Sequence, residues 1–301
     1  MTEQGTLMRL GYLGPAGTFS EEAARAALEG ADAELVGIAT VRDTILAVHD
    51  GSVDRAIVPI ENSLEGPIGV TLDTLADDHD VAVVGELVLA VSQHLIAGSP
   101  LALESIERVL SHPQAISQCA RFLRERVPNA EIEPASSTAE AARIVVARDE
   151  PWAAIGTLRA AELYGATVIA QGVEDEPGNA TRFVFLARRA AAQVSPADGT
   201  PAKTSLAFWG SGDDSPGWLV RCLSEFAFRG VNLTKIESRP LRMRLGHYRF
   251  FVDCEGSAHD PSVAEAVEGL RKHCEQVRIL GSYPAAGPPA QGLHPVSRPP
   301  D

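Results

Sequence analysis

Basic residues are in short supply. Lys and Arg number 26 against 40 Asp and Glu, a formal net charge of −14 over 301 residues. Nucleic acid and anionic membrane both require a basic face, so neither is an expected partner. Cysteine is sparse too. Cys119, Cys222, Cys254 and Cys274 form no close pair in sequence and have no metal-ligand spacing. Reduced thiols in a cytoplasmic protein are expected, with no disulfide framework. His112 and Cys119 lack a third ligand at usable spacing, so no metal is expected. No apolar run is long enough to span a membrane, and residues 1–9 are too short and polar for a secretory signal. The glycines at 11, 14 and 17 miss the spacing of a dinucleotide fingerprint, and no cofactor motif replaces it. With 45% hydrophobic and 22% charged residues the composition is that of a soluble globular protein, and the length allows two domains.

From residue 10 to 187 strand-like and helix-like segments alternate, which predicts an α/β fold with mainly parallel sheets covered by helices. A strand at 10–13 leads through Gly14, Pro15, Ala16 and Gly17 into a helix. Thr18 and Glu21 have capping-box spacing there, and Gly30 suits its stop. Such a turn either offers free N–H groups to an anion or simply joins the two elements. Thr40 caps a helix running to His49. A strand at 55–59 enters the polar stretch 60–66, a loop at the carboxyl end of a strand, where ligands bind in open α/β sheets. Glu61 as a helix cap and Asn62 as a turn residue are the structural alternatives. A helix is expected at 68–75. Residues 81–97 are long and apolar with little helical period, and read as extended chain passing from one lobe to the next. A strand at 106–110 delivers Ser111, His112, Pro113 and Gln114. Pro113 suits the first turn of a helix running to Arg126 that carries Gln114 and Gln118 on one face. Ser137 and Glu140 open another helix, a strand at 152–155 and a helix at 157–163 follow, and a strand at 168–170 is expected to return toward Thr181.

The stretch around which the chain is arranged is Asn179, Ala180, Thr181, Arg182 and Phe183. Residues 174–178, acidic with Pro and Gly, form a loop, and the apolar run after Thr181 reads as a strand. An amide, a hydroxyl and a guanidinium thus meet where a loop enters a sheet, a common place for a site. An edge strand with a polar lead-in is the plainer reading. Residues 188–202 contain an alanine run, Ser195-Pro196 and Gly199-Thr200-Pro201, and read as a linker. The pattern then changes to strand 204–209, helix 216–228, strands 231–238 and 247–254, helix 261–273 and strand 277–283. This βαββαβ order is the ferredoxin-like arrangement. Residues 284–301 are rich in Pro and Gly and read as a disordered tail.

Five motifs in order resemble those of the prephenate dehydratase family of the bacterial monofunctional type. They are residues 14–20 (Gly-Pro-Ala-Gly-Thr-Phe-Ser), 58–63 (Val-Pro-Ile-Glu-Asn-Ser), 111–114 (Ser-His-Pro-Gln), 181–183 (Thr-Arg-Phe) and 237–240 (Glu-Ser-Arg-Pro). The resemblance covers residues 10–283. It implies a two-lobed catalytic domain at 8–187 like the periplasmic binding proteins, a linker at 188–202, an ACT regulatory domain at 203–283 and a tail at 284–301. It implies conversion of prephenate to phenylpyruvate, water and CO2 in phenylalanine biosynthesis, without a cofactor. Feedback by phenylalanine and a homodimer or homotetramer formed through ACT domains are expected with it. The family's catalytic positions fall on Thr181, Asn62, Ser111 and Gln118. Substrate contacts are expected from Thr18, Ser20, Asn62, Ser63, Arg182 and Phe183. Effector contacts are expected from Gly217, Trp218, Leu219 and Val220, and from Glu237, Ser238, Arg239 and Pro240. The family's effector helix usually opens Gly-Ala-Leu-Val, so the indole of Trp218 is a departure that leaves effector affinity and identity open. With only a few residues before the first strand, the chorismate mutase domain found in some relatives is not expected.

Prephenate carries two carboxylates and a ring hydroxyl, and its ring becomes aromatic when CO2 and the hydroxyl leave together. The chemistry therefore calls for orientation, anion binding and help for a poor leaving group. Under the resemblance Thr181 donates a hydrogen bond or a proton to the departing hydroxyl, while Asn62, Ser111 and Gln118 are neutral donors. Arg182 either neutralises substrate charge or forms a structural salt bridge. Two rival readings stand: arogenate dehydratase, and a cytosolic ligand sensor on the same two-lobed scaffold.

Overall fold

The computed structural model describes residues 7–28, 30–77, 79–192, 200–210, 215–242, 245–287 and 290. The first lobe contains β1 (Met8–Leu13), α1 (Phe19–Leu28), β2 (Ala33–Ile38), α2 (Val41–Asp50), β3 (Arg55–Asn62), β4 (Gly66–Pro67), α3 (Gly69–Ala76) and β5 (Val81–Ala90). The second contains β6 (His94–Ala97), β7 (Arg108–Ser111), α4 (Pro113–Gln118), α5 (Ala120–Arg126), β8 (Glu131–Pro134), α6 (Thr138–Val146), β9 (Trp152–Gly156), α7 (Leu158–Tyr164) and β10 (Thr167–Gln171). The chain then returns to the first lobe as β11 (Ala180–Arg188). The sheet orders are β2-β1-β3-β11-β5 and β10-β6-β9-β7-β8.

Side chains at the helix starts do the local work. Thr40, Ser137 and Thr157 each accept from the backbone N–H three residues on, opening α2, α6 and α7. The α1 start is built differently: Glu21 reaches back to the Gly17 N–H at 2.6 Å, while the Thr18 hydroxyl donates to the Leu13 and Pro15 carbonyls. Cys119, buried and outside helical geometry, divides the expected single helix after Pro113 into α4 and α5.

Two expectations need correction. The sheets are mixed rather than mainly parallel: β1 runs parallel to β2 and β3, but β11 is antiparallel to both β3 and β5. The cause is the double crossing. β5 leaves the first lobe and β11 enters it, so as neighbours they run in opposite directions. In the second lobe β7 is parallel to β8 and β9, whereas β6 pairs antiparallel with both β9 and β10. The strand at β10 also does not return toward Thr181; it closes the edge of the second sheet beside β6.

The C-terminal unit comprises β12 (Ala202–Trp209), α8 (Trp218–Ala227), β13 (Leu233–Pro240), β14 (Tyr248–Glu255), α9 (Pro261–Arg271) and β15 (Gln276–Pro284). Its sheet order is β13-β14-β12-β15 with antiparallel pairs throughout, as a ferredoxin-like βαββαβ unit requires. One face packs under α8 and α9 around Phe208, Trp218, Phe226 and Leu270. The other packs on the first lobe: Ala207, Phe251, Leu280 and Tyr283 join Ile45, Val58, Val184 and Leu186 in one buried cluster. The expected linker falls partly on 193–199, outside the described residues. Most of the expected tail lies outside them too. Its described start is ordered against the rest: Pro284 ends β15, and Ala290 exchanges backbone hydrogen bonds with Val88 and Ala90 of β5.

Candidate active site

Between the lobes lies a cleft of about 800 Å³, within the usual range for a small-molecule site. The first lobe supplies Thr18, Ser20, Asn62, Asn179, Thr181 and Phe183, and the crossing chain supplies Gln93. The second lobe contributes His112, Gln114 and Gln118 around α4, and Ser136, Ser137 and Thr138 at the start of α6.

Thr181 and Asn62 are direct cross-strand partners. Simple alternation would not produce this. Ile57 and Pro59 lie on the α1 and cleft side of β3, so a strict period of two would bring Glu61 to the cleft and turn Asn62 away. The register shifts there: Arg182 pairs with Glu61 but Phe183 with Pro59, leaving Ile60 as the extra residue. The bulge re-aims Asn62 at Thr181.

Hydrogen bonds settle how that pair works. Asn62 Oδ1 accepts from the backbone N–H groups of Leu64 and Glu65, both at 3.0 Å. Its Nδ2 must therefore donate, to Asn179 Oδ1 at 2.8 Å and to Thr181 Oγ1 at 2.9 Å. Thr181 accepts from Asn62, which leaves its own hydroxyl hydrogen to point into the cleft. Asn62 orients the threonine and has no donor to spare for a carboxylate. Asn179, the amide of that expected stretch but given no catalytic or substrate-binding role from sequence, is almost fully buried and lines the cleft with them. Its place at the head of the Thr-Arg-Phe strand was the available signal. Gln93 was missed altogether. It is buried, its Oε1 has no protein partner, and its Nε2 lies 3.5 Å from Gln118 Oε1. An isolated glutamine in an apolar crossing segment offers no signal in sequence.

Three expected residues stand elsewhere. Ser111 ends β7 fully buried, and its hydroxyl donates to the Ile155 carbonyl at 2.7 Å instead of lining the cleft. Ser63 is exposed; its hydroxyl accepts from the Ala180 N–H and donates to Asn179 Oδ1, bracing the entry to β11. Arg182 is turned away because neighbours on a strand face opposite sides of the sheet. Thr181 and Phe183 face the cleft; Arg182 faces the C-terminal unit, bonded to Glu86 at 3.0 Å and Asp253 at 2.7 Å. Its Nε lies 3.3 Å from Glu61 Oε2, an ion pair without hydrogen-bond alignment. Burial opposes its charge, but Asp253, Tyr283 and Glu86 outweigh burial and hold its pKa above the ordinary value.

The cleft is consequently without Lys or Arg among its described lining residues, and its one carboxylate, Glu140, is held by Arg143 at 2.6 Å. Positive potential comes instead from the N-terminal ends of α1 and α6, which open on it. The same region joins the lobes. The Thr157 hydroxyl donates to the Gly17 carbonyl at 2.8 Å, and Arg159 Nε reaches Glu21 at 3.2 Å. Gly17 has φ +87, and a Cβ there would come within 3.2 Å of the Ala160 backbone, so both conformation and space demand glycine. Burial pushes the neighbouring Glu22 carboxyl up to about 7. For Glu21, burial is outweighed by the Gly17 N–H and by Arg25 and Arg159, which hold it below its ordinary value.

A second cavity, about 300 Å³, lies in the C-terminal unit and is lined by Gly217, Trp218, Leu219, Val220, Tyr248 and Phe250 among others. Glu237, Ser238, Arg239 and Pro240 do not line it within the chain; they sit on β13. Trp218 does not fill the pocket as an intruding side chain. Its indole is buried against Phe208 and Phe250, and Nε1 donates to the His273 carbonyl at 2.7 Å.

Two α/β lobes that close neutral donors, His112 and two helix N-termini around a cleft define a protein built to take a small molecule between its lobes. Comparison with known proteins narrows the class. A family model for prephenate dehydratase matches residues 10–191. Prephenate dehydratase of Lactococcus lactis subsp. cremoris is 40% identical over 278 residues, 92% of this chain and 97% of that one. The crystal structure of a prephenate dehydratase from Arthrobacter aurescens in complex with L-Phe superposes with a TM-score of 0.83 at 37% identity, covering 92% of this chain and 90% of that chain. A structure described as a novel type of quorum quenching acylase has a TM-score of 0.80 at 32% identity, covering 93% and 98%. The chain belongs to the prephenate dehydratase family, and as such is a carbon–oxygen lyase.

Proposed function

We infer that the cleft converts prephenate to phenylpyruvate with Thr181 as the donor to the departing hydroxyl. The observation that carries this is the one-way bond from Asn62 Nδ2 to Thr181 Oγ1, which leaves the threonine's own hydrogen to be donated elsewhere. In the reaction the bond from the ring to its carboxylate breaks, its electron pair enters the ring, and the C–O bond breaks with its pair on oxygen. CO2 leaves, and the oxygen takes up one proton to become water. A threonine hydroxyl is too weak an acid to supply that proton outright, so its part is to stabilise the developing hydroxide while the proton is drawn from solvent. Preorganised donors of this kind contribute about 3–4 kcal/mol each. Asn179, Gln118 and the N-terminal ends of α1 and α6 receive the carboxylates.

The remaining reading follows the family. Residues 8–187 form the catalytic part, of the periplasmic-binding-protein type, and 203–283 an ACT domain joined by the 188–202 linker. Phenylalanine binds near Gly217 and Trp218, supported by the pocket there and by the L-Phe complex of the Arthrobacter relative. Exposed Val220, Phe228 and Ile236 support pairing of C-terminal units into a homodimer or homotetramer in the cytoplasm. The deciding experiment is turnover of prephenate against arogenate, with phenylalanine titrated into each. Slowed decay of prephenate in place of acceleration would make the protein a binder.

A further inference from the structure

β13 is the outer strand of the C-terminal sheet, and its residues alternate between half-buried and exposed. That period divides the Glu-Ser-Arg-Pro motif. Ile236, Ser238 and Pro240 face outward, while Lys235 and Arg239 face the first lobe. Lys235 Nζ lies 3.2 Å from Glu61 Oε2. Arg239 grips Asp73 with two bonds, Nε to Oδ1 at 3.2 Å and Nη2 to Oδ2 at 2.9 Å. Gly69 makes room for this: a Cβ there would sit 2.5 Å from the guanidinium. Arg242 joins Asp73, and Arg249 lies 3.6 Å from Asp77, so cations gather at the C-terminal end of α3, where the helix dipole favours them.

The two anchors bracket one segment. Glu61 immediately precedes Asn62, and Asp73 lies in α3, which begins just after Ile68; Asn62 and Ile68 both line the cleft. On its other side β13 is tied to the second cavity, since Ser238 and Pro240 pair with Phe250 and Tyr248, two of that cavity's walls. We propose that β13 is a clamp on residues 61–73, that Lys235 and Arg239 are positioning residues that hold Asn62 against Thr181, and that an effector at the second cavity lowers activity by drawing β13 off these anchors. The last step rests on the regulatory reading above; the positioning does not.

The test uses the full chain with Lys235→Met/Arg239→Gln combined, Arg239→Gln alone and Lys235→Arg, with prephenate as substrate and L-phenylalanine as effector. The double variant should lose about tenfold or more in kcat with KM within about threefold, as a small misplacement of a reacting geometry does. Lys235→Arg, which keeps the charge, should stay within about twofold of wild type. Arg239 is bonded to Asp73 and does not line the second cavity, so calorimetry should find phenylalanine still bound by the double variant, yet producing little further inhibition, because the clamp is already open. Loss of phenylalanine binding in that variant overturns the coupling and returns Arg239 to the effector. Wild-type kcat in the double variant overturns the clamp. So does full inhibition by phenylalanine in that variant, or a loss that Lys235→Arg shares. If wild type binds no phenylalanine, the regulatory reading fails by itself, and the kcat comparison still decides the positioning. Should the double variant not fold, Arg239→Gln carries the same comparison with the Lys235 anchor intact.

Discussion

Replacing Arg182 with methionine keeps an aliphatic stem and removes the guanidinium from three carboxylates. Glu86 retains Lys203 at 2.6 Å and the Ala286 N–H at 2.9 Å, and Glu61 retains Lys235 at 3.2 Å. Asp253 keeps only the Ser205 hydroxyl among these short bonds, and its side chain is 7% exposed. Its charge is thus the one left buried without a hydrogen-bonded cation, with only the Coulombic field of its cross-strand neighbour Lys235 to oppose it. Removing one partner of a buried pair costs about 3–5 kcal/mol, and the surviving partners of the other two carboxylates argue for the lower end, about 3 kcal/mol. At about 2–4 °C per kcal/mol, Tm should fall by about 6–12 °C. Because Arg182 faces away from the cleft, KM for prephenate should remain within about twofold under conditions where the variant is folded. Thermal melting alongside steady-state kinetics measures both. A KM raised tenfold or more with Tm unchanged would refute this argument and return Arg182 to the substrate.

Thr181→Val should lower kcat by about 10²–10⁴-fold while Thr181→Ser keeps much of it; equal losses would show that packing of the methyl, not the hydroxyl, is what counts. Glu22 holds its proton to about pH 7 in the folded chain because it is buried, whereas the unfolded chain releases it near pH 4.5. Stability therefore falls as pH rises between those values, by up to about 3 kcal/mol. Glu22→Gln should flatten that fall and raise Tm at pH 8 but not at pH 4, and an unchanged pH profile of Tm would exclude Glu22 as its source. Trp218→Ala removes a buried indole and should cost about 3–5 kcal/mol; phenylalanine affinity should drop, and tighter binding in a variant of undiminished Tm would mean that the indole obstructs the pocket after all.

Much of this protein could be read from local pattern. Thr40, Ser137 and Thr157 announce their helices because a cap is satisfied within four residues of itself. The βαββαβ order after residue 203 and the extended crossing at 81–97 are likewise matters of period and length. Asn62, Thr181 and Gln118 were recognisable as polar residues at the ends of apolar strands or at one helix face. What the sequence could not contain was register. The extra residue at Ile60 turns Asn62 toward Thr181, and it exists only because β11 returns from the second lobe to lie beside β3. The same pairing makes the sheets mixed and sends Arg182 to Glu86 and Asp253, a carboxylate 71 residues downstream. Ser111 spends its hydroxyl on Ile155 because β9 happens to lie within reach. These outcomes depend on which distant strands become neighbours. Tertiary structure decides that, because a side chain's face and partners are set across the sheet rather than along the chain.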